Sequence, residues 1–214
     1  SDDAIKPNTL KILYDAIAKE NADIAIGKLK NVKDDFKYSS LEKTENYKKR
    51  LYVGADALVS QYLSCKTFLT QVWNKLYRHE ILKKFDTYPN VFEPSRRYME
   101  DVLFQVKYFS LINKAIYVPY KFYYYRHVKN SMSHVMFKES MLTIFDGNEL
   151  YPFLDSNLFV ESQIYINAKY ATDNLELLFR IRNSDYSNPA LVRQMYANYK
   201  KYLKYCFKAK RSQW

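Results

Sequence analysis

The chain has 214 residues, of which 48% are hydrophobic and 27% charged, and it carries a formal net charge of +11 with a pI near 9.4. This length and composition are enough to bury a core, so a disordered chain is not the default expectation. The positive charge predicts anionic partners, such as nucleic acid, an anionic lipid surface or phosphorylated small molecules, but does not choose among them.

Several classes of segment are missing from these residues. There is no run of about eighteen apolar residues and no charged-then-apolar leader with a cleavage site, so we expect neither a membrane span nor a signal peptide. Cys65 and Cys206 lack metal-ligand spacing, which predicts buried thiols in a reducing compartment and no disulfide. Gly27, Gly54 and Gly147 stand alone, which excludes a complete Gly-rich dinucleotide or P-loop site within the chain.

The first elements alternate between helix and strand. Apolar residues at helical spacing after Pro7 predict a helix over residues 7–20. Its predicted buried face consists of Leu10, Leu13, Tyr14 and Ile17. Residues 22–27 are typical of a strand, and the Lys- and Asp-rich residues 28–49 are predicted to form an exposed excursion.

The next stretch is mainly helical and ends in a loop. Residues 54–69 predict mainly helix and residues 79–85 a short helix. Residues 87–97 contain Pro89 and Pro94 and no periodic pattern, which predicts a loop that leads to the following helix.

That following helix opens with Glu100 and Asp101, two carboxylates in its first turn. Its predicted buried stripe consists of Met99, Val102, Leu103, Val106 and Phe109. Residues 115–118 and 120–125 then predict strand, and Pro119 between them favours an edge strand or a break.

Helices dominate the remainder, over residues 137–150, 159–180 and 189–210. The last helix has one apolar face, formed by Val192, Met195, Tyr199, Leu203 and Cys206. Lys200, Lys204 and Lys208 lie on another face, and no acid follows Asp185. Two interpretations remain open, namely binding to a membrane surface and a packed helix with a solvated lysine face.

Four motifs occur in an order that resembles the family-2 inverting glycosyltransferases of bacteria. They are Asp2-Asp3, the Trp-Asn-Lys-Leu-Tyr-Arg of residues 73–78, Glu100-Asp101 with Phe104, and the Tyr-Tyr-Arg of residues 124–126 with Ser131. The resemblance covers residues 1–135. It implies an α/β fold of the GT-A type, a Rossmann-like nucleotide-diphospho-sugar transferase domain of which residues 1–135 are a part, followed by a helical C-terminal subdomain at 136–214.

The family's nucleotide-binding half is missing from this sequence, as is the aspartate that precedes Ser1 in the family's Asp-Ser-Asp-Asp motif. We therefore expect a fragment that is inactive alone. In the full-length enzyme, the resemblance implies metal-assisted transfer of a sugar, with inversion, from a nucleotide-sugar, most simply a UDP-sugar, to a glycan or polysaccharide acceptor.

The resemblance also assigns roles to single residues. Asp101 corresponds to the general base, and Glu100 and Trp73 to the acceptor site. Asp2 and Asp3 would bind Mg²⁺ or Mn²⁺, which prefer hard oxygen ligands. The predicted contacts to the donor phosphates are Arg126, Ser131, Lys75 and His134.

Each assignment has an ordinary structural alternative. An acidic pair in a first helical turn commonly caps the helix, and acidic residues at a chain start are often frayed. Arg126 and Ser131 would equally suit a strand-end salt bridge and a turn, Lys75 a solvated lysine, His134 a structural histidine and Trp73 a core position.

The partners expected from these patterns are a nucleotide-sugar, a glycan acceptor and an anionic membrane surface bound through the basic C-terminal helix. The location would be cytoplasmic, peripheral to the inner face of the membrane. The alternatives are a basic nucleic-acid-binding module, disfavoured because no nucleic-acid motif occurs, and an oligomerisation piece without catalysis.

Overall fold

The structure, a computed structural model, describes residues 3–33, 35, 48–64, 67–92, 99–126, 137–144, 154 and 157–211. Asp2, Cys65, Ser131 and His134 lie outside the described residues. The elements in chain order are β1 (Ala4–Ile5), α1 (Thr9–Glu20), β2 (Ile24–Val32), β3 (Arg50–Val53), α2 (Ala55–Leu63), β4 (Lys75–Tyr77), α3 (His79–Leu82), α4 (Glu100–Ser110), β5 (Lys114–Arg126), a 3₁₀ helix (Glu139–Ile144), α5 (Val160–Arg182) and α6 (Pro189–Arg211). This content confirms the predicted α/β class.

The chain divides into two compact units. The sheet unit comprises Ser1–Gly54, Gln71–Pro89 and Leu111–Val135, and the helical unit comprises Ala55–Thr70, Asn90–Ser110 and Met136–Trp214. The helical unit thus takes α2 and α4 from the earlier part of the chain. The division at residue 135 into two sequential domains stays a prediction.

The sheet unit is built on a mixed sheet with the strand order β1-β5-β2-β4, in which β3 also pairs with β5. The long strands β2 and β5 run parallel, and β5 is antiparallel to both β1 and β3. Helix α1 packs against this sheet. Their shared core consists of Leu13, Ala16, Ile17, Ala22, Ala25, Ile116, Val118, Tyr120 and Phe122.

The predicted buried face of α1 is partly wrong. Leu13 and Ile17 are buried as expected, whereas Leu10 and Tyr14 are 63% and 64% exposed. The helix instead buries Thr9 and Ala16. Thr9 and Ala16 lie on the same stripe as Leu13 and Ile17, so the face against the sheet is narrower than the apolar residues alone suggest.

The predicted excursion after residue 27 begins later than expected. Strand β2 continues to Val32, because residues 28–32 extend its parallel pairing with β5. Residue 34 and residues 36–47 of the predicted excursion lie outside the described residues.

The expectation of an edge strand at Pro119 is wrong, since β5 runs through this position and has neighbours on both sides. The alternative, a break, is seen as an interruption of the pairing within a continuous strand. On one side, the pairing with β3 ends at Tyr117 and the pairing with β1 involves Tyr123 and Tyr124. On the other side, the register with β2 shifts between Tyr117 and Lys121. Pro119 therefore lies where the ladder is interrupted, and its missing N–H is tolerated.

The helical unit packs α5 against α6 around Met141, Leu177, Ile181 and Met195. The observed α5 and α6 confirm the two long helices predicted near the C-terminus. The predicted stripe of α4 is buried at Val102, Val106 and Phe109, and the helix also buries Phe104, Gln105 and Tyr108. None of the helices in the described ranges is long and apolar enough to cross a membrane.

Asp56, in the first turn of α2, fixes the start of α5. Its carboxylate accepts hydrogen bonds from the backbone N–H groups of Glu161 and Ser162, both at 2.8 Å, and from the Ser162 hydroxyl at 2.5 Å. These amides belong to the first turn of a helix, where no intrahelical acceptor is available. A side chain from one helix thus caps another.

Gly27 is required where β2 passes β5, because a Cβ at this position would lie 1.9 Å from Cε1 of Phe122. We predict that Gly27→Ala lowers the free energy of unfolding by about 1–3 kcal/mol, since overpacking forces a buried ring to move. The measurement is urea unfolding followed by circular dichroism. Lys28→Ala, at the next and exposed position of the same strand, is the control and should change stability by less than about 0.5 kcal/mol. Equal stability of the two variants would contradict the close contact.

Candidate active site

Asp3 is held at the end of β5 by two hydrogen bonds. Its Oδ2 accepts from the Tyr123 hydroxyl at 2.9 Å, and its Oδ1 accepts from the Arg126 backbone N–H at 2.8 Å. The short strand β1, which follows Asp3 directly, pairs with β5 through Ala4 opposite Tyr124 and Ile5 opposite Tyr123. Asp3 is thus an ordered carboxylate and not a frayed terminal residue.

Trp73 stacks on two tyrosines of β5. Its ring centroid lies 3.9 Å from that of Tyr123 and 5.5 Å from that of Tyr125, with interplanar angles of 24° and 7°. Tyr123 and Tyr125 are two residues apart on a strand, so they share one face of the sheet. All three rings are half-buried. They form an aromatic cluster, named here the Trp73 stack.

Tyr123 links the two predicted sites of the sheet unit, because its hydroxyl binds Asp3 while its ring stacks on Trp73. Asp3, Trp73 and the end of β5 at Arg126 are therefore brought together. Sequence reasoning assigned no role to Tyr123 or Tyr125. The available signal was the alternation of faces along β5. Phe122 and Tyr124 are buried on one face, and Tyr123 and Tyr125 are half-buried on the other.

Lys75 is buried, which rules out the solvated-lysine alternative. Its ammonium donates to Asn74 Oδ1 at 2.7 Å and to the Gln71 carbonyl. Asn74 in turn donates from Nδ2 to the Gly27 carbonyl at 2.9 Å, which attaches this loop to β2. Contact of Lys75 with a donor phosphate stays a prediction.

Arg78 closes the same motif by binding the turn between α1 and β2. Its Nε donates to the Ala22 carbonyl at 2.7 Å and its Nη2 to Asn21 Oδ1 at 2.9 Å. Much of the Trp-Asn-Lys-Leu-Tyr-Arg segment therefore serves to anchor β4 and its preceding loop. The Trp73 ring of this segment is half-buried.

In the helical unit, Glu100 and Asp101 form the first turn of α4, as predicted. The residue before them, Met99, has a left-handed φ of 61°, which is uncommon for a side chain of this kind. Asp101 Oδ1 accepts a hydrogen bond from the Val102 N–H at 2.8 Å. The backbone turn at Met99 thus places two carboxylates at the free amide end of the helix.

Burial raises the pKa of the Asp101 carboxyl above its ordinary value, and the negative charge of Glu100 acts in the same direction. The Val102 N–H and the positive charge of Lys169 oppose this rise in pKa. An aspartate with a raised pKa holds a proton more firmly and is a better base than an exposed one.

Lys169 on α5 also pairs with a second carboxylate. Its Nζ lies 2.9 Å from Asp173 Oδ1, and both side chains are largely buried. Burial nevertheless raises the pKa of Asp173, against the opposing effect of Lys169. One ammonium therefore acts on both Asp101 and Asp173. Sequence reasoning did not find Lys169, because it lies on a distant helix and no local motif marks it.

Asp3 is the one described residue of the predicted metal pair. A carboxylate has about four acceptor positions, so two hydrogen bonds leave lone pairs for a hard cation. Mg²⁺ commonly takes one or two protein carboxylates together with substrate phosphates, and the carboxylate of Asp3 fits this pattern. Within the described ranges no group of three or more His, Cys, Asp or Glu residues could hold a metal ion.

Comparisons with known proteins find similar solved structures, two of which are described here. A crystal structure of S. aureus TarS 1–349 in complex with UDP-GlcNAc matches with a TM-score of 0.46 and 18% identity, over 97% of this chain and 47% of that one. A second structure of S. aureus TarS 1–349 matches with a TM-score of 0.44 and 14% identity, over 100% of this chain and 65% of that one. The chain thus spans about half the length of the first of them. No family model and no curated protein matches the sequence.

We predict that Lys169→Met raises the pKa of Asp101 further. The substitution removes a positive charge that favours the carboxylate form, so a higher pH is needed for deprotonation. The pKa is measured from the carboxyl ¹³C shift of Asp101 during a pH titration. Lys169→Arg keeps the charge and is the control, with a smaller change expected. An unchanged or lower pKa in Lys169→Met would contradict the coupling.

Proposed function

We propose that this chain forms the acceptor-side part of an inverting glycosyltransferase that uses a nucleotide-sugar donor. The observation that carries the proposal is Asp101, a half-buried carboxyl at the start of α4 whose raised pKa suits a base. The ordered motifs that resemble family-2 glycosyltransferases support it.

In this reaction the acceptor hydroxyl attacks the anomeric carbon of the donor sugar. The Asp101 carboxylate takes the hydroxyl proton as the new C–O bond forms, and the bond to the nucleoside diphosphate breaks on the opposite side. The configuration at the anomeric carbon is inverted in a single displacement. Glu100, the neighbouring carboxylate, would accept a hydrogen bond from another acceptor hydroxyl and keep Asp101 basic through its charge.

The Trp73 stack would provide an apolar wall for a sugar ring of the acceptor. Aromatic faces contribute large apolar surface, and the half-buried rings of this cluster retain some of it. Tyr123 contacts both Trp73 and Asp3, so a substrate that touches these rings would also lie near the carboxylate.

The leaving diphosphate needs positive charge. Mg²⁺ or Mn²⁺, held by Asp3 and by Asp2, would supply it by neutralising the phosphate oxygens. Arg126, whose guanidinium fork suits phosphate oxygens, and Lys75 are proposed to add positive charge, and Ser131 and His134 are proposed to donate hydrogen bonds to the phosphate oxygens. The donor is proposed to be a UDP-sugar and the acceptor a growing glycan or polysaccharide.

The direct test is Asp101→Asn in the protein encoded by the whole reading frame, with transfer measured from a panel of UDP-sugars. Loss of the base should reduce kcat about a hundredfold to ten-thousandfold, because the acceptor proton has no receiver. Asp185→Asn, a change of the same kind at an exposed loop position, is the control and should leave turnover unchanged. Undiminished turnover in Asp101→Asn would remove Asp101 from the mechanism.

A further inference from the structure

One face of α6 packs against α5 and the opposite face is exposed. On the packed side, Met195 is fully buried, the Tyr170 and Tyr202 ring centroids lie 5.3 Å apart, and the Cys206 thiol donates to the Ala168 carbonyl at 3.5 Å. These contacts fix the rotation of α6 about its axis. They determine which side chains the helix presents on its other side.

The exposed face of α6 carries a stripe of cations, named here the α6 stripe. It consists of Arg193, Lys200, Lys204 and Lys208, all exposed. The spacings of seven, four and four residues place these side chains on one side of the helix. At the helical rise, the stripe is about 22 Å long.

Among the described residues, no carboxylate forms a salt bridge with the α6 stripe. The sequence has no Asp or Glu after Asp185. Within the part of the chain that the structure describes, Lys200, Lys204 and Lys208 contact tyrosine rings. The stripe is therefore an unbalanced line of positive charge.

Two exposed aromatic side chains border the stripe. Tyr196 is 50% exposed and Phe207 is 61% exposed. They are eleven residues apart, which is close to three helical turns, so both lie along the same edge. The stripe thus combines a line of cations with apolar side chains along one edge. This combination is the pattern of a helix that lies in the interface of a membrane.

We propose that the exposed face of α6 docks on an anionic lipid surface. The α6 stripe would attract acidic headgroups, and Phe207 and Tyr196 would enter the boundary between headgroups and acyl chains. The long lysine side chains reach outward from such a depth and keep their ammonium groups among the headgroups. This role goes beyond the transfer reaction and does not depend on it.

A nucleic acid is the less suitable partner for this face. Proteins that bind single strands stack bases on open aromatic faces. Here the Lys200 ammonium lies 4.6 Å from the Tyr196 ring centroid, and those of Lys204 and Lys208 lie 5.2 Å and 5.5 Å from that of Tyr205. Each of these two tyrosine rings therefore already contacts a lysine ammonium group. The exposed Phe207 gains more from lipid than from a phosphate backbone.

The test is sedimentation of the chain with vesicles of phosphatidylcholine, with and without phosphatidylglycerol. We expect binding only to vesicles that contain phosphatidylglycerol, and weaker binding as salt rises. Changing Lys200, Lys204 and Lys208 together to Gln should weaken binding about a hundredfold, because each lysine near the surface contributes. Phe207→Ser should weaken vesicle binding and leave binding of an oligonucleotide unchanged.

The matched control changes Lys19, Lys28 and Lys33 to Gln, three exposed lysines outside α6. Both triple variants lower the net charge by three, so they separate a specific face from total charge. The control should stay within about threefold of the unmodified chain. Equal weakening in both variants, no binding to phosphatidylglycerol vesicles, or tighter binding to the oligonucleotide than to these vesicles would each overturn the proposal.

Discussion

The parallel pairing of β2 with β5 is the constraint on which the sheet unit depends. It requires Gly27 on β2, because the ring of Phe122 occupies the space that any other side chain would need. Strand β5, held beside β2 in this way, then positions Asp3 and Trp73. The Arg126 backbone N–H and the Tyr123 hydroxyl donate hydrogen bonds to Asp3. The rings of Tyr123 and Tyr125 stack on Trp73. A single strand thus organises the carboxylate and the aromatic cluster of this unit.

In the helical unit, the pKa values of two carboxyls depend on their burial. Asp101 and Asp173 are both carboxyls whose pKa is raised chiefly by burial, and the Lys169 ammonium opposes the rise for each of them. Burial therefore determines the direction of both pKa shifts, and the Lys169 ammonium reduces their size. Its position is in turn fixed by α5, whose first turn is capped by Asp56.

The sequence was sufficient for features that depend on local patterns. The periodicity of α5 and α6, and the acidic pair that opens α4, could be predicted because neighbours on one element determine them. Features that depend on distant partners could not. Burial of Lys75 follows from the way Asn74 attaches its loop to Gly27, and tolerance of Pro119 follows from where β1 and β3 pair with β5. The exposure of Leu10 is a third case, because the sheet determines which stripe of α1 is covered.

If Asp101 removes the acceptor proton, the rate of transfer depends on the protonation state of this carboxyl. A base acts when deprotonated, so kcat/KM should fall as the pH drops through the pKa of Asp101. The measurement is the pH profile of kcat/KM for the protein encoded by the whole reading frame, with and without Lys169→Met. The acid limb should move to higher pH in the variant, parallel to the pKa of Asp101. An acid limb at the same pH in both proteins would contradict this role of Asp101.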